Sequence, residues 1–126
     1  MRNSPQGGQA ALDKVPDSAF KTQTQKLSKF FTEKLKERVG RSVIWTNHST
    51  KRLYERFGGK VNETVTRGII QGIRLLQGKH GQAYKKVAVD LNGVRVVVAQ
   101  DESTYAVVTL IADERKFRGG YSFRNY

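Results

Sequence analysis

The chain has 126 residues, 37% of them hydrophobic, and carries 23 lysines and arginines against 11 aspartates and glutamates, a formal charge of +12. That composition supports one modest core; it disfavours an enzyme of neutral metabolites and favours a polyanionic partner, nucleic acid most simply, or an acidic protein that neutralises the same surface. The absence of cysteine excludes a disulfide scaffold and thiolate metal clusters, no apolar run approaches the ~18 residues of a spanning helix, and the N-terminus lacks the pattern of a leader peptide.

Residues 1–16 mix Gly, Gln, Pro and Ser without apolar periodicity and read as a linker or tail before a single domain over 17–126. From about Ser18 to Val39 the pattern is helical. Leu27, Phe30, Phe31 and Leu35 share one face; Lys26, Lys29, Glu33 and Lys36 cluster on the other. Gly40 stands where a C-cap is expected. Ser42-Val43-Ile44-Trp45-Thr46, β-branched and aromatic, predicts a short strand. Asn47 is the expected N-cap of a second helix running to about Phe57 and stopped by Gly58-Gly59. Asn62 caps a third, over 63–77, with Val65, Ile69, Ile73 and Leu76 in one stripe. Gly68 and Gly72 fall inside it, and the segment is too polar for a membrane motif, so close packing against a neighbour is expected.

The period then changes from helical to alternating. Val87, Val89 and Leu91 precede Asn92-Gly93, and Val94, Val96 and Val98 follow it, which is the signal of a hairpin with a two-residue type I′ turn. The register pairs Leu91 with Val94, Val89 with Val96 and Val87 with Val98, and sets Asp90 opposite Arg95 on the other face. A turn at Asp101-Glu102-Ser103 leads to a third strand over about Thr104 to Ala112. The predicted class is α+β, with N-terminal helices on one face of a three- to four-stranded antiparallel sheet, a meander.

Asn47 to Phe57 is the most informative stretch. At 100° per residue Leu53 and Phe57 point one way, and His48, Lys51, Arg52 and Glu55 point the other, toward solvent. First-turn N–H groups and the helix dipole attract phosphate, and a histidine there suits general-base work. Lys51 and Arg52 are placed to stabilise the extra charge of a phosphorane, with Glu55 orienting one of them. The bland alternative is an ordinary amphipathic helix with a solvated charged face. His80 is the only other histidine: either an acid–base partner across a scissile phosphate or an exposed loop residue. The tail interleaves Arg115, Lys116, Arg118 and Arg124 with Phe117, Tyr121, Phe123 and Tyr126, so rings stack on unpaired bases while cations hold phosphates, or the aromatics pack a final strand on the core. No metal-ligand motif is present. Glu114-Arg115-Lys116, with Asp90 or Asp101 upstream, loosely matches the acid–acid–lysine signature of magnesium-dependent nucleases, a triplet common by chance in so charged a chain. No metal and no organic cofactor is expected.

From Ile44 to about Ile111, a strand ending Ile-x-Trp-x-x-His, then Lys-Arg-Leu-x-x-Arg, a second helix and a Val-rich meander resembles the barnase–EndoU–colicin–RelE superfamily of small RNases, in particular colicin D-like and contact-dependent growth inhibition toxin domains. The resemblance implies a metal-independent endoribonuclease aimed at tRNA. It also implies carriage at the C-terminus of a larger secreted toxin, action in the cytoplasm of a target bacterium, and blockage by a cognate acidic immunity protein. Carried over, His48 is the acid or base, and Lys51, Arg52 and Arg56 hold phosphates. A late-strand hydroxyl assists; Thr104, Thr109 and Ser122 are not distinguished by sequence, and Thr109 is taken as catalytic. Many relatives carry a lysine just before the histidine, where this chain has Thr46 and Asn47, so Lys51 or a tail cation must supply that charge. The expected reaction is attack of a 2′-hydroxyl on the adjacent phosphorus, giving a 2′,3′-cyclic phosphate. His48, Lys51, Arg52 and Thr109 are the expected catalytic residues, Arg124 is a further candidate for steadying the pentavalent charge, and Arg56, His80, Lys116, Arg118, Tyr121 and Arg124 are the expected RNA contacts. The alternatives are a non-catalytic basic RNA-binding module and a magnesium-dependent DNase toxin.

Overall fold

The computed structural model describes residues 14–126, so all but the last three residues of the expected tail lie outside the described residues. A short 3-10 turn over Asp17–Phe20 runs into helix α1 (Lys21–Val39), which Gly40 ends in the left-handed conformation. Strand β1 (Ser42–Trp45), helix α2 (Asn47–Phe57) and helix α3 (Glu63–Gln77) follow. Strands β2 (Lys86–Leu91), β3 (Val94–Gln100), β4 (Thr104–Ala112) and β5 (Gly119–Arg124) complete the chain.

The hairpin has the expected register, including Val87 on Val98 and Asp90 on Arg95. Arg95 grips Asp90 with two hydrogen bonds, 2.7 and 2.9 Å. Asn92 and Gly93, at φ 50° and 83°, form the turn, as two positive-φ residues must in a type I′ hairpin. The glycines of α3 pack as expected: a Cβ on Gly68 would come within 2.7 Å of Val96, and one on Gly72 within 2.9 Å of Val98. Val65, Ile69, Ile73 and Leu76 are wholly buried.

The sheet itself differs from a three- or four-stranded antiparallel meander. It has five strands in the order β1-β4-β3-β2-β5, and β1 runs parallel to β4. The fifth strand comes from the tail, where Tyr121 and Phe123 alternate against Val89 and Val87 of β2. The parallel pair follows from the connection: α2, α3 and the hairpin all intervene before β4 returns beside β1, and a long crossover permits parallel pairing where a tight turn does not.

Two further expectations change. Phe30 does not join Phe31 and Leu35 in the core. It is exposed, edge-on to Phe31 at 5.5 Å and covered by Lys34, because α1 lies along the outermost strand. The cap of α2 is Thr46, not Asn47: the Thr46 hydroxyl accepts from the Ser49 N–H and the Ser49 hydroxyl accepts from the Thr46 N–H, both at 3.0 Å.

The outer edge of β1 is covered by hydroxyls. Thr32 of α1 donates to the Val43 carbonyl at 2.8 Å and accepts from the Val43 N–H at 3.1 Å. One turn earlier, Ser28 accepts from the Trp45 N–H at 2.8 Å and donates weakly to the Trp45 carbonyl. Another turn back, Thr24 donates to the Thr50 hydroxyl at 2.7 Å. This stripe takes the place of a missing strand and fixes the start of α1, just after the Asp17 turn, against the start of α2.

Candidate functional site

The site is built where β1 ends and α2 begins. Thr46, the cap, donates its N–H to the Val107 carbonyl at 3.3 Å and its hydroxyl to the Val108 carbonyl at 3.3 Å. Val108 is the extra residue of a β-bulge, since Val98 pairs with Val107 and Val97 with Thr109. The bulge decides which way Thr109 faces. Uninterrupted alternation from the buried Tyr105 and Val107 would send Thr109 into the core and Leu110 out. With one residue inserted, Leu110 is buried and Thr109 shares the outer face of the sheet with Val97.

His48, in the first turn of α2, reaches that threonine: Nε2 lies 3.2 Å from Thr109 Oγ1. Its other nitrogen, Nδ1, lies 3.3 Å from Oδ2 of Asp17. An ionised carboxylate only accepts, so Nδ1 carries a hydrogen, and in the neutral ring Nε2 then presents its lone pair toward the Thr109 hydroxyl. Lys51, one turn along α2, approaches the second Asp17 oxygen at 3.8 Å. Asp17 thus holds an imidazole and an ammonium side by side. The His48 side chain keeps 42% of its surface exposed, so a ligand has access to the ring.

The charged sector of α2 is not wholly solvent-facing. Glu55 is buried, its side chain 1% exposed, and it accepts from Arg52 Nη1 at 2.6 Å. The Asp17 turn and β4 both pack against this helix, which encloses the sector. Glu55 therefore orients Arg52 and not Lys51, and Arg52 is committed to a buried carboxylate. Arg56 is exposed two turns beyond His48, in the last turn of α2.

The remaining expected residues fall into two groups. Lys116 and Arg118 are exposed on either side of the buried Phe117, in the loop that follows β4. The Phe117 carbonyl accepts from the Gly93 N–H, so this loop closes over the hairpin turn, at the end of the sheet toward which β1 points and where Thr109 lies. His80, Tyr121 and Arg124 belong elsewhere. His80 packs with Tyr84 and Phe123, at 5.8 and 5.7 Å between ring centroids, and Tyr121 sits edge-on to Phe123. This aromatic group lies at β5, on the sheet face opposite Thr109 and three strand spacings, about 14 Å, from β4. The two imidazoles are not brought together. Arg124 pairs with Lys86 at the far edge and far end of the sheet, away from His48, so it is not placed to steady charge there. Of the alternative hydroxyls, Ser122 is on that same distant strand, and Thr104 binds the Asp101 carboxylate at 2.9 Å. Hydrogen bonds from the Ser103 and Thr104 N–H groups and the Thr104 hydroxyl hold the Asp101 pKa below the ordinary carboxylate value.

Sequence reasoning missed Asp17, whose only signal is the Pro16-Asp17-Ser18 helix start. It also passed over Arg95 as a site cation. Arg95 is two residues along β3 from Val97, hence a diagonal neighbour of Thr109 on the same face. Its guanidinium lies over Phe117 at 4.4 Å, and hydrogen bonding to Asp90 raises its pKa. Among the described residues no three His, Asp or Glu side chains gather as metal ligands would, and no helix is long and apolar enough to cross a membrane. Comparison with protein-family models, curated proteins and solved structures finds no match to this chain.

Proposed function

We propose that this chain is a metal-independent endoribonuclease of the toxin type, with tRNA as its substrate. The observation that carries the reading is the His48 ring, held by Asp17 on one nitrogen and meeting the Thr109 hydroxyl on the other, beside Lys51. In this reading Nε2 of His48 takes the proton from a ribose 2′-hydroxyl as that oxygen attacks the adjacent phosphorus. Thr109 donates its hydroxyl to a nonbridging phosphate oxygen, and Lys51 steadies the added negative charge. The 5′-oxygen leaves with a proton from water, and the product is a 2′,3′-cyclic phosphate. As such a toxin it acts in the cytoplasm of a target bacterium and is restrained by an acidic immunity protein.

The test is incubation of the purified protein with total tRNA in EDTA. Fragments ending in cyclic phosphate are expected, and His48→Ala is expected to reduce cleavage by at least about a hundredfold while still holding RNA. Intact tRNA with DNA cut on addition of magnesium transfers the reading to a metal-dependent DNase. RNA binding without cleavage by either protein leaves a basic RNA-binding module.

A further inference from the structure

Helices α1 and α3 lie on the same side of the sheet, and near their C-terminal ends the Gln77 amide donates to the Val39 carbonyl at 3.0 Å. Between them is a groove whose two contiguous sections enclose about 360 and 430 Å³. Its floor carries apolar side chains beside the amides of Gln71 and Gln77. Leu35 and Ile73 belong to the core, while Val39 and Ile70 are half-buried and reach the groove. Its rim is cationic: Arg38 comes from α1, and Arg67 and Arg74 from α3. All three are exposed, and among the described residues none is paired with a carboxylate. Arg67, Ile70 and Arg74 recur at helical spacing, so they form one stripe along α3.

We propose that this groove docks an acidic amphipathic helix of a partner protein. Three guanidinium groups gathered without counter-charge call for carboxylates, which arginine binds in two-pronged fashion. A nucleic-acid backbone supplies anions but leaves the Val39 and Ile70 surface uncovered, and no aromatic ring lines the groove for a base to stack on. A helix meets both demands, with apolar residues on the floor and glutamates along its flanks. Arg67 and Arg74 are about 10 Å apart along α3, the separation of two carboxylates two turns apart on the docked helix. The inference does not rest on the ribonuclease reading. Arg38 is near the far end of α1, about 25 Å from its start, whereas Asp17 and His48 are at the near end.

The probe is a labelled synthetic helix of about five turns, leucine on one face and glutamate on both flanks, titrated into the full chain. Saturable binding at micromolar concentration, with methyl resonances of Val39 and Ile70 shifting on titration, is expected. Joint Arg38→Glu, Arg67→Glu and Arg74→Glu substitution is expected to weaken it at least tenfold. If that variant does not fold by circular dichroism, Ile70→Ala carries the test, with a several-fold loss expected. Binding of the helix to the substituted chain as tightly as to the native one overturns the proposal. So does a single-stranded RNA, in place of the helix, shifting Val39 and Ile70.

Discussion

Asp17 and His48 are 31 positions apart, and their contact turns a histidine in a basic helix into an oriented one. Replacing Asp17 with asparagine leaves an acceptor of the same shape but removes the charge that holds the ring and Lys51 together. If His48 acts as the base, Asp17→Asn lowers kcat on the order of ten- to a hundredfold. KM holds or falls, because RNA then meets less negative charge beside Lys51. Steady-state cleavage of a short RNA separates the two parameters, and an unchanged kcat removes Asp17 from a positioning role. His48 and Lys51 were legible because helical periodicity is local and places them on one sector. Thr109 was reachable through resemblance alone, because the bulge at Val108 reverses the side to which alternation from Tyr105 would point it. Asp17 was not legible: nothing in the chain before Lys21 announces that its first turn folds against α2.

The elements show where local signals end. The C-terminal end of α1, the hairpin register and the span of α3 follow from caps, turn residues and periodicity, which act over a few positions. The start of α1 falls at Lys21 and not near Ser18, because an uncapped 3-10 turn over Asp17–Phe20 precedes it. The parallel union of β1 with β4 depends on how three helices share one sheet face, and no short stretch encodes that. The protection of β1 was written in Ser28 and Thr32, four residues apart, yet hydroxyls on a helix usually point at water. Here Thr32 serves both backbone groups of Val43. Thr32→Val keeps the shape and leaves that N–H and carbonyl without partners, so we expect a loss of about 2–3 kcal/mol in unfolding free energy. Urea denaturation measures it; a change under about 0.5 kcal/mol would mean that water serves the edge equally well.

For the whole molecule, two groups of cations occupy different parts of the surface. Lys51, Lys116 and Arg118 lie toward the His48 end, while Arg38, Arg67 and Arg74 frame the groove between α1 and α3. The two sets should respond differently when RNA binds. A single strand engaging about five phosphates releases counterions with a log–log salt slope near −3.5, so affinity of the His48→Ala protein falls about a hundredfold between 50 and 200 mM salt. Neutralising Lys116 and Arg118 to glutamine should flatten that slope by about 1.4. Neutralising Arg67 and Arg74 should leave it unchanged, because the groove takes no part in holding RNA. Fluorescence anisotropy across a salt series reads all three proteins. A decline of only a few-fold in the parent, or equal flattening by both pairs, would mean that the cationic surface does not divide its work in this way and that its principal partner is a protein.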